Sequence, residues 1–157
     1  MTRFTLLSLS CLAAAAQAAD VGHRFTGIES CATSGCHGGG FGNNQVLVHK
    51  KDQHVNAQAA MTQAAWATQL VQNLGISNPY QSARCNVCHS PLLTVNPDKF
   101  VPDLTPAKAG QGVSCESCHG PAEFWLRSHT RPDYTHAMRT QLGMRDMKSL
   151  AYTVKFG

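Results

Sequence analysis

Six of the seven cysteines in this sequence stand in three pairs, and a histidine directly follows the second cysteine of each pair. Two pairs have the spacing Cys-x-x-Cys-His, and the first pair is wider, with four residues between its cysteines. The three motifs are Cys31, Cys36 and His37; Cys85, Cys88 and His89; and Cys115, Cys118 and His119. Two thiols at this spacing reach the vinyl groups on one porphyrin edge, and the adjacent histidine coordinates iron from the proximal side. The pattern therefore predicts three covalent haem c groups, with iron held by His37, His89 and His119.

Two other uses of these cysteines are possible. Cys85, Cys88, Cys115 and Cys118 would make an acceptable four-cysteine zinc framework. Six cysteines in an exported chain would also suit a set of disulfides. Neither alternative explains why a histidine follows every pair. Haem attachment is therefore the favoured interpretation.

The first residues predict a secretory signal peptide. Arg3 gives a positive start, residues 4–16 are mainly apolar and uncharged, and residues 16–18 form a small-x-small cleavage site. We expect residues 1–18 to be the signal and residues 19–157 to form one multihaem domain. The apolar run is too short to span a bilayer stably, and no later segment is apolar enough. The sequence therefore predicts a periplasmic protein that is not an integral membrane protein, with a lipid anchor at Cys11 as the weaker alternative.

Composition and charge agree with a haem-rich interior. Only 7% of the residues are aromatic, which is few for a conventional hydrophobic core. We therefore expect porphyrins to fill much of the interior. The formal charge of +4 falls to +3 without Arg3, and six haem propionates bring the balance to about −3. Nucleic-acid binding is therefore not expected. The basic residues near the end would pair with propionates or face an acidic redox partner; they are Arg127, Arg131, Arg139, Arg145, Lys148 and Lys155.

The elements that must position these residues are predicted to be mostly helical, with long loops wrapped around a cluster of covalent haems. The longest helix is expected over residues 53–74, with Asp52 as its N-cap and Gly75 just past its end. Its apolar side should lie in the core; that side consists of Val55, Ala59, Trp66, Leu70 and Leu74. Residues 35–44 and 91–112 are predicted to be loops because they are rich in glycine or proline.

Shorter helices are expected around the second and third motifs. Residues 78–79, Asn-Pro, should begin a short helix that leads to the second motif. Ser114 should cap the turn of the third motif, and Pro121 should begin a helix through Trp125. Asp133 is expected to cap a further helix that Gly143 ends.

Five histidines lie outside the three motifs, more than isolated surface residues would explain. Bis-histidine coordination is the favoured use, because a second imidazole saturates the iron, which then passes electrons without binding substrate. We rank the candidate distal ligands in the order His54, His129, His136 and His23. His49 is expected to be solvated beside two lysines. Four methionines are possible ligands that we expect to pack in the core; they are Met61, Met138, Met144 and Met147.

The segment from His23 to Asp146 resembles the cytochrome c-554/c-prime family of multihaem cytochromes. The best match is residues 112–123, Gly-Val-Ser-Cys-Glu-Ser-Cys-His-Gly-Pro-Ala-Glu, followed by residues 125–130 and 143–146. The wide first motif and residues 84–89 also look like that family. The resemblance implies a periplasmic electron-transfer protein with closely stacked, mostly bis-histidine haems; the histidines that it implies as ligands are His23, His54, His129 and His136. Relatives are expected to carry a fourth motif after residue 146, so we expect the sequence to be a fragment or a truncated gene product.

Three functions are compatible with these observations. The leading hypothesis is electron transfer between redox partner proteins, such as a membrane quinol-linked donor and a periplasmic acceptor. The alternative is a haem enzyme acting on a small nitrogen compound at one five-coordinate haem, and the third possibility is a haem-bearing subunit of a larger redox complex. The sequence shows no catalytic acid–base set outside the haem motifs, so we expect an electron carrier rather than an enzyme.

Overall fold

A computed structural model describes residues 22–147 of the chain. Seven short α-helices occur in that range: α1 (Gln45–His49), α2 (Ala57–Gln63), α3 (Ala65–Asn73), α4 (Ala83–His89), α5 (Pro106–Ala109), α6 (Cys115–His119) and α7 (His136–Gln141). Long loops and 3₁₀ turns join them, and the described range contains only an isolated β-bridge in place of strands. The predicted fold class, mostly α with long loops, is confirmed. The predicted signal peptide, Lys148 and Lys155 lie outside the described residues.

The long helix predicted over residues 53–74 is broken into three pieces. Its start is as predicted, because the Asp52 carboxylate accepts a hydrogen bond of 2.8 Å from the His54 N–H. A 3₁₀ turn (Gln53–Asn56) leads into α2, and the chain leaves helical geometry at Ala64, whose ψ is 134°. Gly75, at a φ of 64°, ends α3 as predicted. The break was missed because alanine favours helix locally, whereas the tertiary contacts of α2 with α4 decide where this helix stops.

The apolar side of this segment is not a protein core, contrary to expectation. Trp66 is 64% exposed, and Leu70 and Leu74 are exposed as well. Met61 is buried as predicted, whereas Met138 is exposed. The expectation for Trp66 was wrong because it assumed that protein side chains would cover this face.

The turns around the third motif follow local signals only in part. Ser114 caps α6 in a capping box with Ser117, as predicted. Residues 123–127 form turns rather than the helix expected from Pro121, and a 3₁₀ turn (Ser128–Thr130) follows. Thr135 caps α7 in place of Asp133, whose carboxylate accepts a hydrogen bond of 3.0 Å from Arg131 instead.

A small apolar core holds the start of the described chain. Phe25 and Phe100 pack edge to face with ring centroids 6.3 Å apart. The Phe25 N–H also donates to the Lys99 carbonyl at 2.7 Å, and the Val101 N–H donates to the Phe25 carbonyl at 2.9 Å. Leu92, from the proline-rich loop, is buried in the same cluster. The loop therefore wraps the lead-in segment and fixes its path toward the first and third motifs.

No helix between residues 22 and 147 is long and apolar enough to cross a bilayer.

Candidate haem sites

The first motif is a closed turn despite its extra residues. The His37 N–H donates to the Cys31 carbonyl at 3.1 Å, and the Cys36 N–H donates to the Thr33 carbonyl at 2.9 Å. Gly38 lies so close to this turn that a Cβ there would be 1.9 Å from the Ala32 carbonyl oxygen. Cys31 is buried and Cys36 is exposed. The wide spacing is therefore absorbed within the turn, which keeps Cys31 and His37 together.

The rings of His37 and His129 are neighbours, with centroids 6.0 Å apart and planes inclined by 25°. An imidazole nitrogen binds a metal at about 2 Å and lies about 1 Å from its ring centre, so two imidazoles on one metal have centroids roughly 6 Å apart. The spacing of the two rings is therefore that of two imidazoles on one metal, which makes His129 a candidate second ligand beside His37.

Hydrogen bonds that Nδ1 donates orient both of these rings. The Nδ1 of His37 lies 3.0 Å from the amide oxygen of Gln45, and the Nδ1 of His129 lies 3.2 Å from the carbonyl oxygen of Trp125. Both partners are acceptors, so each Nδ1 carries the proton and each Nε2 keeps its lone pair. Metal-binding histidines have this arrangement, in which a second hydrogen bond fixes the tautomer.

The second motif lies on α4 beside an open apolar groove. The Nδ1 of His89 lies 2.6 Å from the carbonyl oxygen of Ala57 in α2, so its Nε2 is again left to bind a metal. The groove has a volume of about 220 Å³. It is lined by Met61, Trp66, Ala67, Leu70, Val71, Leu74, Ile76, Pro79, Arg84, Cys85, Cys88 and His89. The apolar lining beside two thiols and an oriented imidazole fits a porphyrin.

Haem in this groove would explain the exposed side chains of α3. Trp66, Leu70 and Leu74 recur at intervals of four residues and therefore lie on one face of the helix. Leaving such large apolar side chains in water costs roughly 25 cal/mol per Å² of apolar area. A porphyrin against this face would remove that cost. His89 is the one histidine among the described residues that line the groove.

The third motif surrounds a buried carboxylate that the sequence analysis missed. Glu116 is fully buried between the two cysteines of α6. Its oxygens accept hydrogen bonds from the backbone N–H groups of Thr26, Gly27 and Ala122 at 2.6–3.0 Å. The Thr26 hydroxyl adds a contact of 3.3 Å. This carboxylate therefore joins the third motif to the segment that leads into the first motif.

The first and third motifs meet at their first cysteines. A hydrogen bond with Cys115 is the largest cause that raises the pKa of the Cys31 thiol, and burial adds to it. The same hydrogen bond lowers the pKa of Cys115 to about 7. The two thiols are therefore neighbours, although they belong to different motifs.

The segment around Arg145 packs on the third motif. The Arg145 N–H donates to the His119 carbonyl at 2.9 Å, and its guanidinium donates to the Ser117 carbonyl at 2.7 Å. Gly120, at a φ of 84°, leaves no room for a side chain, since a Cβ there would be 2.5 Å from the Gly143 carbonyl oxygen. Arg145 is thereby engaged with backbone carbonyls of the third motif.

His49 is not solvated, contrary to expectation. Its ring is half-buried, and its Nε2 lies 2.8 Å from the Val113 carbonyl, two residues before Cys115. Its Nδ1 is buried without a hydrogen-bond partner among the described residues. A signal was present in the sequence, because Val46, three residues earlier on the same face of α1, is apolar and buried.

The remaining candidate ligands lie at the edges of these motifs. The His54 ring donates to Asp52 at 2.6 Å and its side chain is 65% exposed. His136 is also exposed and lies 3.4 Å from Asp146. The ring of His23 packs edge to face on Phe124 with centroids 5.3 Å apart. None of these three contacts is with a proximal histidine.

The zinc alternative is not supported by the structure. Among residues 22–147, no three His, Cys, Asp or Glu side chains gather as a metal-binding cluster, so the four cysteines of that framework do not meet. The six cysteines of the motifs are free thiols rather than disulfides.

Comparison with known families gives one match. The family model described as cytochrome c554 and c-prime matches residues 14–120, which is more than half of the chain and includes all three motifs. No curated protein and no solved structure matches the chain.

Proposed function

The chain belongs to the cytochrome c554 and c-prime family, and from this premise we propose that it is a periplasmic three-haem c-type cytochrome that transfers electrons between redox partners. Membership of the family implies covalent haem c, iron and redox partner proteins. The count of three haems, their sites and the periplasmic location are our proposal. The observation that carries it is the pairing of His37 with His129 at the spacing of two ligands on one iron.

The proposed attachment sites are the three cysteine pairs, with the following histidines as proximal iron ligands. Two of these histidines, His37 and His89, have an oriented ring with Nε2 left to coordinate. The backbone of the third, His119, is fixed by the hydrogen bond from Arg145. These contacts support all three sites without a change of fold.

For the distal ligands, we propose His129 at the first iron and His49 at the third. The position of His49 next to Val113 and its unpaired, buried Nδ1 support the second assignment, because a buried imidazole nitrogen without a partner is costly. His23, His54 and His136 stay as candidates for the remaining coordination positions.

In this proposal the polypeptide keeps the histidine ligands in fixed orientations during electron transfer. When bound, haem c supplies an iron that gains and loses one electron at a time. The hydrogen bonds from His37 to Gln45 and from His129 to Trp125 keep the imidazole orientations fixed in both oxidation states. The contact of Cys31 with Cys115 brings two attachment edges together, which shortens the path between the first and third sites. The apolar groove of α3 excludes water from the second site.

One observation favours the alternative of a haem enzyme. The described residues that line the groove of the second motif include no second histidine, and the opposing face is apolar. The second iron would then keep an open coordination position for a small molecule, unless the thioether of Met61 occupies it. The enzyme hypothesis therefore applies to the second site alone.

A test with carbon monoxide separates these functions. The reduced, haem-loaded protein is mixed with carbon monoxide and its visible spectrum is recorded. No spectral change at any haem, together with full and reversible reduction and reoxidation, is the result expected of an electron carrier. A change equivalent to one haem that disappears in a Cys85→Ser/Cys88→Ser variant would favour the enzyme. Failure to reoxidise would contradict electron transfer.

Export and partners complete the proposal. Residues 1–18 have the composition of a signal peptide, which would deliver the chain to the periplasm for haem attachment. Of the basic residues, Arg131 is engaged by Asp133 and by the Tyr134 ring, 4.9 Å from its guanidinium carbon. Arg127 is exposed, which suits an acidic surface on a membrane quinol-linked donor or a periplasmic acceptor.

A further inference from the structure

The buried carboxylate of the third motif has only uncharged partners among the described residues. Glu116 is 0% exposed, and its donors among the described residues are three backbone N–H groups and one hydroxyl. Both of its oxygens accept hydrogen bonds, which is the arrangement of a carboxylate rather than of a carboxylic acid. A full negative charge is therefore fixed inside the protein next to Cys115, with no cation bonded to it.

The field of this charge reaches both neighbouring attachment points. Glu116 directly follows Cys115, which lies against Cys31, so the carboxylate is beside both attachment points. The hydrogen bond between the two thiols has the largest influence on the pKa of each, and the charge of Glu116 adds a smaller upward influence on both. A carboxylate that opposes negative charge on these sulfur atoms also opposes an added electron on the macrocycles bonded to them. Little water lies between the groups to screen the charge, because Glu116 is fully buried.

The second motif has a neutral residue at the same position. Asn86 follows Cys85 as Glu116 follows Cys115, and it is also buried, with 4% of its surface exposed. Its side-chain amide donates to the Tyr80 carbonyl at 2.9 Å. The two motifs therefore present a matched pair of buried side chains that differ in charge.

We propose that Glu116 sets reduction potential: its charge lowers the potential of the haem at the third motif and, by a smaller amount, that of the haem at the first motif, while the haem at the second motif lacks this effect. The inference rests on the proposed function, since it requires haem at these sites.

Other charges near the third motif do not cancel this one. Arg145 donates to the Ser117 carbonyl, but it is exposed, and solvent and salt screen exposed charges. Arg24 is already paired with Glu123, in which its Nε donates at 2.9 Å. The buried carboxylate therefore dominates the local field.

The test is a potentiometric titration of the haem-loaded full chain, followed in the visible spectrum. A Glu116→Gln variant is expected to shift one midpoint potential upward, a second one by less, and the third not at all. Repeating the comparison in a Cys85→Ser/Cys88→Ser background should retain both shifts, because they belong to the first and third haems. Glu116→Asp, which keeps the charge while disturbing the same hydrogen bonds, should leave the potentials near those of the wild type.

A matched control and an independent pair of variants check that the shifts come from the charge of Glu116. Arg24→Met/Glu123→Gln removes the neighbouring ion pair as a whole without a change of net charge, and it should leave all potentials near those of the wild type. Thr26→Lys would place an ammonium group beside Glu116 and raise the same two potentials relative to Thr26→Met. This pair decides the matter if Glu116→Gln does not take up three haems.

Two results would overturn the inference. One is a three-haem Glu116→Gln protein with unchanged potentials, or Thr26→Lys and Thr26→Met proteins with identical ones. The other is an equal shift in Glu116→Asp and Glu116→Gln, which would assign the effect to lost hydrogen bonds. A wild-type mass showing fewer than three haems would instead refute the proposed function, so the two failures are distinguishable.

Discussion

Around the third motif a buried carboxylate binds the backbone of other segments, whereas around the second motif the chain leaves an apolar groove. Glu116 accepts from two backbone N–H groups about 90 residues earlier in the chain and from that of nearby Ala122, and Cys115 meets Cys31 of another motif. The second motif instead faces the exposed side of α3, with Trp66 at its edge. The contrast indicates that the first and third sites share a scaffold made by the polypeptide, while the second site depends on its cofactor for packing.

The largest expected effect is at the proposed ligand pair of the first site. His129→Ala should convert one haem in three from low spin to high spin and let it bind carbon monoxide, because the iron of His37 loses its second imidazole. Ser128→Ala, one residue earlier in the same turn, is the matched control and should keep the wild-type spectrum. An unchanged spectrum in His129→Ala would show that His129 does not coordinate the iron of His37.

The next effect is on stability at the shared scaffold. Glu116→Ala leaves the N–H groups of Thr26, Gly27 and Ala122 without an acceptor, at about 1–3 kcal/mol each, so a loss of roughly 3–9 kcal/mol is expected. The measurement is the urea midpoint of the haem-loaded protein. Asn86→Ala removes only one hydrogen bond at the matched position of the second motif and should cost about 1 kcal/mol. Equal losses in the two variants would contradict the contrast between the regions.

A smaller effect should depend on haem at the second site. Trp66→Ser should cost about 3 kcal/mol in the three-haem protein, because the indole would lie against the porphyrin. In a Cys85→Ser/Cys88→Ser background the same substitution is an exposed change and should fall within about 0.5 kcal/mol. Urea unfolding of the four proteins gives the comparison, and a similar cost in both backgrounds would show that the indole packs on protein instead.

The smallest effect concerns how the ion pair between Arg24 and Glu123, near the first and third sites, contributes to stability as the pH changes. The hydrogen bond from Arg24 holds the pKa of the Glu123 carboxyl below its ordinary value. The pair therefore stabilises the fold above the ordinary glutamate pKa of about 4.3, and this contribution is lost as the pH falls through the lowered pKa. Arg24→Met should be less stable than the wild type at pH 7 and approach it in acid. Melting curves across that range test this, and a constant difference would contradict it.

Local signals predicted the parts of the fold that local chemistry controls. Asp52 caps its turn, Ser114 caps α6, and Gly75 ends α3 at a positive φ, all as expected from sequence. The role of Glu116 could not be predicted, because its partner Thr26 is 90 residues away. Asp133 was predicted to cap α7, but its carboxylate accepts a hydrogen bond from Arg131 instead.

The candidate site was predictable where residue type and spacing define the chemistry. The three motifs follow from their cysteines and histidines, and His129, the second-ranked distal candidate, lies beside His37, whereas the first-ranked His54 is exposed. The environment of His49 depends on a contact with Val113 across the fold. The exposure of Trp66 was missed because sequence patterns show that a face is apolar but not whether protein or cofactor covers it.

The most direct test of the whole account is the number of haems on the matured chain. The protein is produced with a c-type haem export system, and a pyridine haemochrome spectrum and an intact mass are measured. Three covalent haems on a chain that starts near Ala19 are the predicted result. Two haems would show that the wide motif of Cys31, Cys36 and His37 does not attach haem. A chain without haem would contradict the account.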